Sequence, residues 1–259
     1  MFAETAYAKV NLALHVRARR SDGYHALETV FAFCKEGDLL EAEPAEALSL
    51  EIVGPFAAGL SAGEDNLVMR AARLLGGRGA RLRLTKQLPI ASGIGGGSAD
   101  AAAALRLLSH LWDVPLPPLT EQRSLGADVP ACVVSQTARG TGVGEALAPE
   151  ASVAGTPILL VNPLRPLSTA AVFAAWDGVD RGPLGDWHSG RNDLQPAASA
   201  LVPEIEVILS HLSKAPGTTI ARMSGSGATC FALFARAAER DACAASLPKG
   251  WWHLATNLR

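Results

Sequence analysis

Residues Thr5 to Val16 alternate, with Ala6, Ala8, Val10, Leu12 and Leu14 on one face and Tyr7, Lys9, Asn11 and His15 on the other. This two-residue period predicts a strand that sends Lys9 and Asn11 in the same direction. Ser21, Asp22 and Gly23 in RRSDGYH are turn formers, and a second extended run follows through ETVFAFC. Tyr24 and His25 therefore sit where the chain re-enters a sheet. LSLEIV and ARLRLTK predict two further strands, the second setting Leu82 and Leu84 against Arg81 and Arg83. Between them lies a helix: Asp65 is a good N-cap, Leu67, Ala71 and Leu74 repeat at helical spacing, and GGRG at 76–79 stops it.

Ala101, Leu105, Leu108 and Trp112 form one stripe and predict a buried helix from Ser98 to Trp112. A small-residue stretch before the apolar run ILLV at Ile158 places a domain boundary near residue 150, giving domains 1–150 and 151–259. The second part offers helices around 168–176 and 202–212, a turn SGSG at 224–227, a strand ATCFALF and a closing WWHLATNL. Strands and helices mix without a regular βαβ alternation, which predicts an α+β fold of two layers.

Composition narrows the function classes. With 49% hydrophobic and 19% charged residues among 259, every long stretch is expected to fold. A net charge of -2 lacks the broad positive field that drives nucleic-acid binding, so no nucleic-acid partner is expected. No run of about 18 apolar residues occurs, and Glu4 and Lys9 interrupt the first segment. Neither a membrane span nor a signal peptide is expected, and the cytoplasm is the expected location. Cys34, Cys132, Cys230 and Cys243 show no metal-ligand spacing and read as buried, reduced thiols.

The chemistry concentrates in PIASGIGGGSAD, residues 89–100. Glycine costs about 0.5–1 kcal/mol relative to alanine in regular structure, so Gly93, Gly95, Gly96 and Gly97 need a geometric reason. Close approach of backbone N–H groups to an anion at a helix start supplies one. The run matches neither G-x-x-x-x-G-K-[ST] nor G-x-G-x-x-G after a buried strand. Phosphoryl transfer further needs a group to take or orient the acceptor proton and a cation near the moving charge. GADVP offers Asp128 and the first strand offers Lys9. Taken singly, the aspartate also reads as a turn or cap residue and the lysine as solvated.

Together AYAKVNLALHV, RRSDGYHALETVF, EDNLVMRAARLL, LPIASGIGGGSADAAAAL, LGADVPACV, NDL and SGSGATCF resemble the GHMP kinases, the family of galactokinase, homoserine kinase and mevalonate kinase. The resemblance spans both halves and thins between Gly144 and His188. It implies a two-domain α+β fold, with a ribosomal-S5-domain-2-like N-terminal domain and a ferredoxin-like C-terminal domain. It also implies ATP and Mg2+ as cofactors, with Lys9 and Asp128 as the catalytic pair. Pro89, Ile90, Ala91, Ser92, Gly93, Ile94, Gly95, Gly96, Gly97, Ser98 and Ala99 would embrace the triphosphate, and Asn66 with Lys86 would lie on the adenine side. Asn66 also reads as a helix cap, and Lys86 as a solvated strand end. Where the family commonly has serine this chain has Ala99, leaving any hydroxyl contact to Ser98.

At finer grain the resemblance implies a small-molecule acceptor, a cytidine diphosphate-linked methylerythritol. Tyr24 and His25 would surround its cytosine ring, Asn11 would lie near its erythritol end, and Phe173 would close the other ring face. Phe173 also reads as a core residue of its helix. The SGSG turn would buttress the phosphate loop, and Asn192 and Asp193 also read as helix caps. A kinase of the same family acting on homoserine, mevalonate or a sugar is the nearest alternative, separated by SDGYH. A non-catalytic binding module is another, opposed by the joint presence of Lys9, Asp128 and the glycine loop. The sequence assigns neither metal ligands nor oligomeric state.

Overall fold

The computed structural model describes residues 1–259. Strands β1 (Phe2–Arg19) and β2 (His25–Pro44) pair with each other. The turn between them closes with a 2.8 Å hydrogen bond from Arg20 N to Tyr24 O. Contacts group the chain into two compact units that interleave along the sequence. One comprises 1–8, 36–90 and 95–135, and the other 9–35, 91–94 and 136–259.

In the first unit β3 (Ser49–Val53) runs parallel to β4 (Ala80–Thr85), which pairs antiparallel with the C-terminal half of β2. Leu40 faces Leu84 across that ladder. The unit's helices are α1 (Leu67–Leu74), α2 (Gly96–Trp112), α3 (Leu119–Leu125) and α4 (Val129–Val134). α1 and α4 both pack on α2, whose residues 99–105 are all buried. The predicted single stripe is thus too narrow, because a helix covered on several sides carries apolar residues all round. α2 also begins two residues before Ser98, at Gly96.

The N-cap of α1 is Asn66, not the expected Asp65: Asn66 Oδ1 accepts from Val68 N at 2.9 Å. Asp65 instead accepts from the Ser61 hydroxyl at 2.8 Å.

In the second unit β5 (Ala138–Thr141) pairs with the N-terminal half of β2, and β6 (Ala146–Pro149) pairs with β5. A second sheet, antiparallel throughout, has the order β10-β7-β9-β8, formed by β7 (Pro157–Asn162), β8 (Thr218–Met223), β9 (Cys230–Phe234) and β10 (Trp252–Asn257). Helices α5 (Thr169–Ala174), α6 (Gln195–Leu201), α7 (Glu204–Lys214) and α8 (Ala237–Ala245) complete the unit. α7 packs on β8 and β9, burying Ile205, Ile208 and Leu212 in a core with Leu159, Val161 and Phe234.

The alternation of β1 holds, but both of its faces are covered: Lys9, Asn11 and His15 are each only 3% exposed. Cys34, Cys132, Cys230 and Cys243 are free and buried. No helix is long and apolar enough to cross a membrane.

Gly37 allows the backbones of β1 and β2 to approach, since a Cβ there would lie 1.9 Å from the Ala6 carbonyl oxygen. Gly37→Ala is expected to lower the free energy of unfolding by roughly 1–3 kcal/mol in urea titration, the usual cost of overpacking. An unchanged midpoint would contradict this close approach.

Candidate active site

The glycine loop turns into α2 through a left-handed residue: Gly95 is the N-cap, at φ 67° and ψ 22°, and offers no side-chain cap. The first N–H groups of a helix have no partner within it, so Gly96, Gly97 and Ser98 present theirs at the positive end of the helix dipole. A helix start without side-chain bulk is fit to hold phosphate oxygens by backbone alone. Ser98 lies close to the turn before α4, with its Oγ 3.4 Å from the point a Gly126 Cβ would occupy. Two residues on, Asp128 occupies the N-cap position of α4 but makes no capping hydrogen bond with its side chain.

Lys86 departs from one of the two readings of it, that of a solvated strand end. It is no solvated strand end but is 4% exposed, and its ammonium bonds to Asp38 and, at 2.7 Å, to Asp100 Oδ2. A Cβ on Gly96 would stand 3.5 Å from Lys86 Nζ, so the cation lies at the first turn of α2. Asp38 Oδ1 also accepts from Gln87 N at 2.5 Å and Leu88 N at 2.9 Å, which fixes the chain entering the loop. Burial lowers the lysine's pKa, but the two carboxylates more than offset it, and the net direction is upward. Burial pushes Asp100 up to about 7, with Lys86 opposing and Asp38 adding to the rise. Asn66 is occupied locally: besides capping α1 it donates to Ser61 O at 2.7 Å.

In the second unit, loop residues 91–94 are held by β1 and the SGSG turn. Lys9 N donates to Ile94 O at 3.0 Å, Ser224 Oγ to Gly93 O at 3.0 Å, and Thr229 N to Ser92 O at 3.1 Å. Gly93, at φ +77°, has no room for a side chain: a Cβ would lie 2.5 Å from Ser224 O and 2.6 Å from Gly227 O. Asn192 Nδ2 donates to Met223 O and Gly225 O, and Asp193 Oδ2 accepts from Val16 N at 2.9 Å. These two residues thus brace the turn and β1. Lys9 Nζ donates to Asn11 Oδ1 at 2.8 Å, and Asn11 Nδ2 donates to the Thr29 hydroxyl at 2.8 Å. The shared direction expected of Lys9 and Asn11 is realised as a direct hydrogen bond.

The same unit brings His25 to Phe173, with ring centres 4.8 Å apart, while Tyr24 beside it is 62% exposed. Sequence reasoning missed Trp176, whose ring meets His25 edge-on at 5.6 Å. It lies three residues after Phe173, just beyond the C-cap of α5, and no local pattern in the sequence points to its contact with His25. Burial, reinforced by Arg19, holds the His25 pKa below the ordinary imidazole value, favouring the neutral ring. His25 Nε2 and Trp176 Nε1 are both buried without a protein partner.

The N-terminal domain model of the GHMP kinases matches residues 66–139, and the C-terminal model of the same family matches residues 180–251. A kinase of Rhizorhabdus wittichii, named 4-diphosphocytidyl-2-C-methyl-D-erythritol kinase, is 52% identical over 99% of this chain and 94% of its own length. One of Sphingopyxis alaskensis with the same name is 53% identical over 99% and 98%.

This chain belongs to the GHMP kinases.

A crystal structure of 4-(cytidine 5'-diphospho)-2C-methyl-D-erythritol kinase superposes with a TM-score of 0.85 at 32% identity, covering 99% of this chain and 98% of that one. Membership gives the GHMP kinase ATP as its phosphate donor, and the side-chain-free start of α2 fits a polyphosphate. Gly93→Ala in this kinase is expected to raise KM for ATP by roughly tenfold or more, because strain at positive φ and the collision with the 224–227 turn displace the loop. Steady-state kinetics at varied ATP check this, and an unchanged KM would remove loop shape from nucleotide binding.

Proposed function

We propose that this protein transfers the γ-phosphoryl group of ATP to the 2-hydroxyl of 4-diphosphocytidyl-2-C-methyl-D-erythritol, in the cytoplasm, as a step of non-mevalonate isoprenoid precursor synthesis. The observation that carries the acceptor is the ring group of His25 and Phe173, with the exposed Tyr24 ring next in the chain. Flat rings favour a flat base by stacking, and a neutral buried imidazole has an Nε2 left to hydrogen-bond a pyrimidine edge. Asn11 is proposed for the erythritol end of the acceptor.

In the proposed mechanism Asp128 accepts the proton of the acceptor hydroxyl as its oxygen forms the new bond to phosphorus. The bond between that phosphorus and the leaving oxygen breaks, and ADP departs with the electron pair. Lys9 neutralises charge on the transferring group. Residues 89–99 hold the triphosphate chiefly through backbone N–H groups, which cost no reorganisation during reaction. Ser98 is the hydroxyl available to phosphate or Mg2+. Mg2+ belongs to this proposal as the ion that neutralises phosphate charge when bound. Asn66 and Lys86 are proposed for the adenine side of the nucleotide. The sequence domains proposed are 1–150 and 151–259, with one family match falling in each.

Asp128→Asn and Lys9→Ala are each expected to lower kcat by roughly 10²–10⁴ while leaving the nucleotide dissociation constant nearly unchanged. Mass spectrometry and 31P NMR of the product formed from the cytidyl acceptor and ATP check the reaction itself. A 2-phosphorylated acceptor is the expected product, and ADP without it contradicts the acceptor assignment. Tyr24→Ala is expected to raise KM for the acceptor roughly tenfold, the scale of one base stacked on an aromatic ring, with KM for ATP unmoved.

A further inference from the structure

Thr29, on β2, is fully buried, and its hydroxyl lies 2.7 Å from Ala13 O and 2.8 Å from Asn11 Nδ2. A hydroxyl has one hydrogen to give and a carbonyl can only accept, so that hydrogen goes to Ala13 O. Towards Asn11 the same oxygen can then only accept, and the amide must present its NH2 end. Oδ1 therefore faces the other way, to Lys9 Nζ at 2.8 Å. An ammonium carries donors alone, so both ends of the amide are matched. Turning the amide over would set NH2 against the ammonium and oxygen against a hydroxyl with no hydrogen left. Both bonds would be lost among buried groups, where an unmade bond costs most.

We infer that Thr29 is a positioning residue for phosphoryl transfer: its hydroxyl fixes which end of the Asn11 amide faces Lys9, and so holds the Lys9 ammonium in place. This rests on the reading of Lys9 as the cation that neutralises the transferring group. The result is a chain of three hydrogen bonds running one way, from Lys9 through Asn11 and Thr29 to the backbone of β1 itself. Bonds in such a chain polarise and strengthen one another.

A β-branched residue suits a strand, and that alone gives Thr29 no further role. Its surroundings do. The methyl is seated against Gly140, its partner in the β2–β5 ladder, where a Cβ would lie 3.2 Å from Thr29 Cγ2. A seated methyl fixes the rotamer and with it the direction of the hydroxyl. Two residues along β2, the Phe31 ring lies 5.5 Å from Lys9 Nζ. A ring face attracts the ammonium without selecting among its N–H directions, and the Asn11 oxygen makes that selection. The backbone of the same two β1 residues holds the glycine loop: Lys9 N donates to Ile94 O, and Asn11 N donates to Ser224 Oγ, which donates to Gly93 O. Thr29 thus acts where the proposed catalytic cation and the loop share one strand.

The test is kcat of the full chain at saturating ATP, Mg2+ and cytidyl acceptor, expressed per nucleotide-binding site from calorimetry so that a loss of folded protein does not register. Thr29→Val keeps the branched shape and removes the hydroxyl. It is expected to lower kcat roughly 10- to 100-fold, the scale of a displaced catalytic group, with the nucleotide dissociation constant unmoved. Thr29→Ser, which restores the hydroxyl and lacks the methyl, is expected to recover most of the loss. In the Lys9→Ala background Thr29→Val is expected to cost nothing further, the mark of residues acting as a unit. Wild-type kcat in Thr29→Val, an equal loss in Thr29→Ser, or a full second loss in the double variant each overturns the inference. Neutron diffraction from the wild type reads the hydrogens directly and needs no variant to fold. The Thr29 hydroxyl hydrogen is expected on the line to Ala13 O and an Asn11 amide hydrogen on the line to Thr29 Oγ1; the opposite polarity overturns the inference. Wild-type kcat in Lys9→Ala contradicts the role given to Lys9, whereas a loss there with none in Thr29→Val contradicts only the role given to Thr29.

Discussion

A lysine ammonium buried at the start of a helix is repelled by the aligned peptide dipoles and deprived of water, so it persists only where counter-charges are built in. Lys86 has two, and each belongs to a different element: Asp38 to β2 and Asp100 to α2. The same Asp38 carboxylate captures the Gln87 and Leu88 amides just before the glycine loop. One ion cluster thereby fixes the strand, the chain entering the loop and the first turn of the helix. The direction in which the α2 amides point is settled by these contacts.

Phosphoryl transfer asks a protein mainly for position and charge and for little covalent chemistry, which makes such fixing useful. Backbone amides grip phosphate well only if they are already aimed before the ligand arrives. Gly95 supplies the left-handed turn that exposes them, and Gly93 lets its segment lie against the 224–227 turn. Asn11 and Asn192 are tied to that turn by hydrogen bonds and its Ser224 donates to Gly93 O, so residues from distant parts of the chain serve one short piece of loop. The SGSG turn thus has a structural task in this protein.

Much of this was legible in the sequence. The alternation of β1 paired Lys9 with Asn11, and four glycines in five positions before an alanine-rich run announced α2 and its glycine start. Other features were hidden for physical reasons. α3, α4 and α6 have at most seven residues, under two turns, too few for a helical period to register. Asp65 and Asn66 are both good caps, and only the backbone geometry chooses Asn66. The solvated reading of Lys86 failed because lysine is only usually exposed, and its phase was visible: it continues the inward series of Leu82 and Leu84. Carrying the register in which Leu40 faces Leu84 one inward pair further sets Asp38 opposite Lys86. A charged residue on the apolar phase of a strand is a signal to look for its partner. Trp176 joins His25 through a contact between residues far apart in sequence, which no local pattern encodes.

The central claim is that the backbone amides at the start of α2 receive the polyphosphate. Residue-resolved amide hydrogen exchange, measured with and without a non-hydrolysable ATP analogue and Mg2+, tests it most directly. Gly96, Gly97 and Ser98 are predicted to exchange severalfold more slowly in the complex. Unchanged exchange at all three in a protein that has bound the nucleotide would contradict the account.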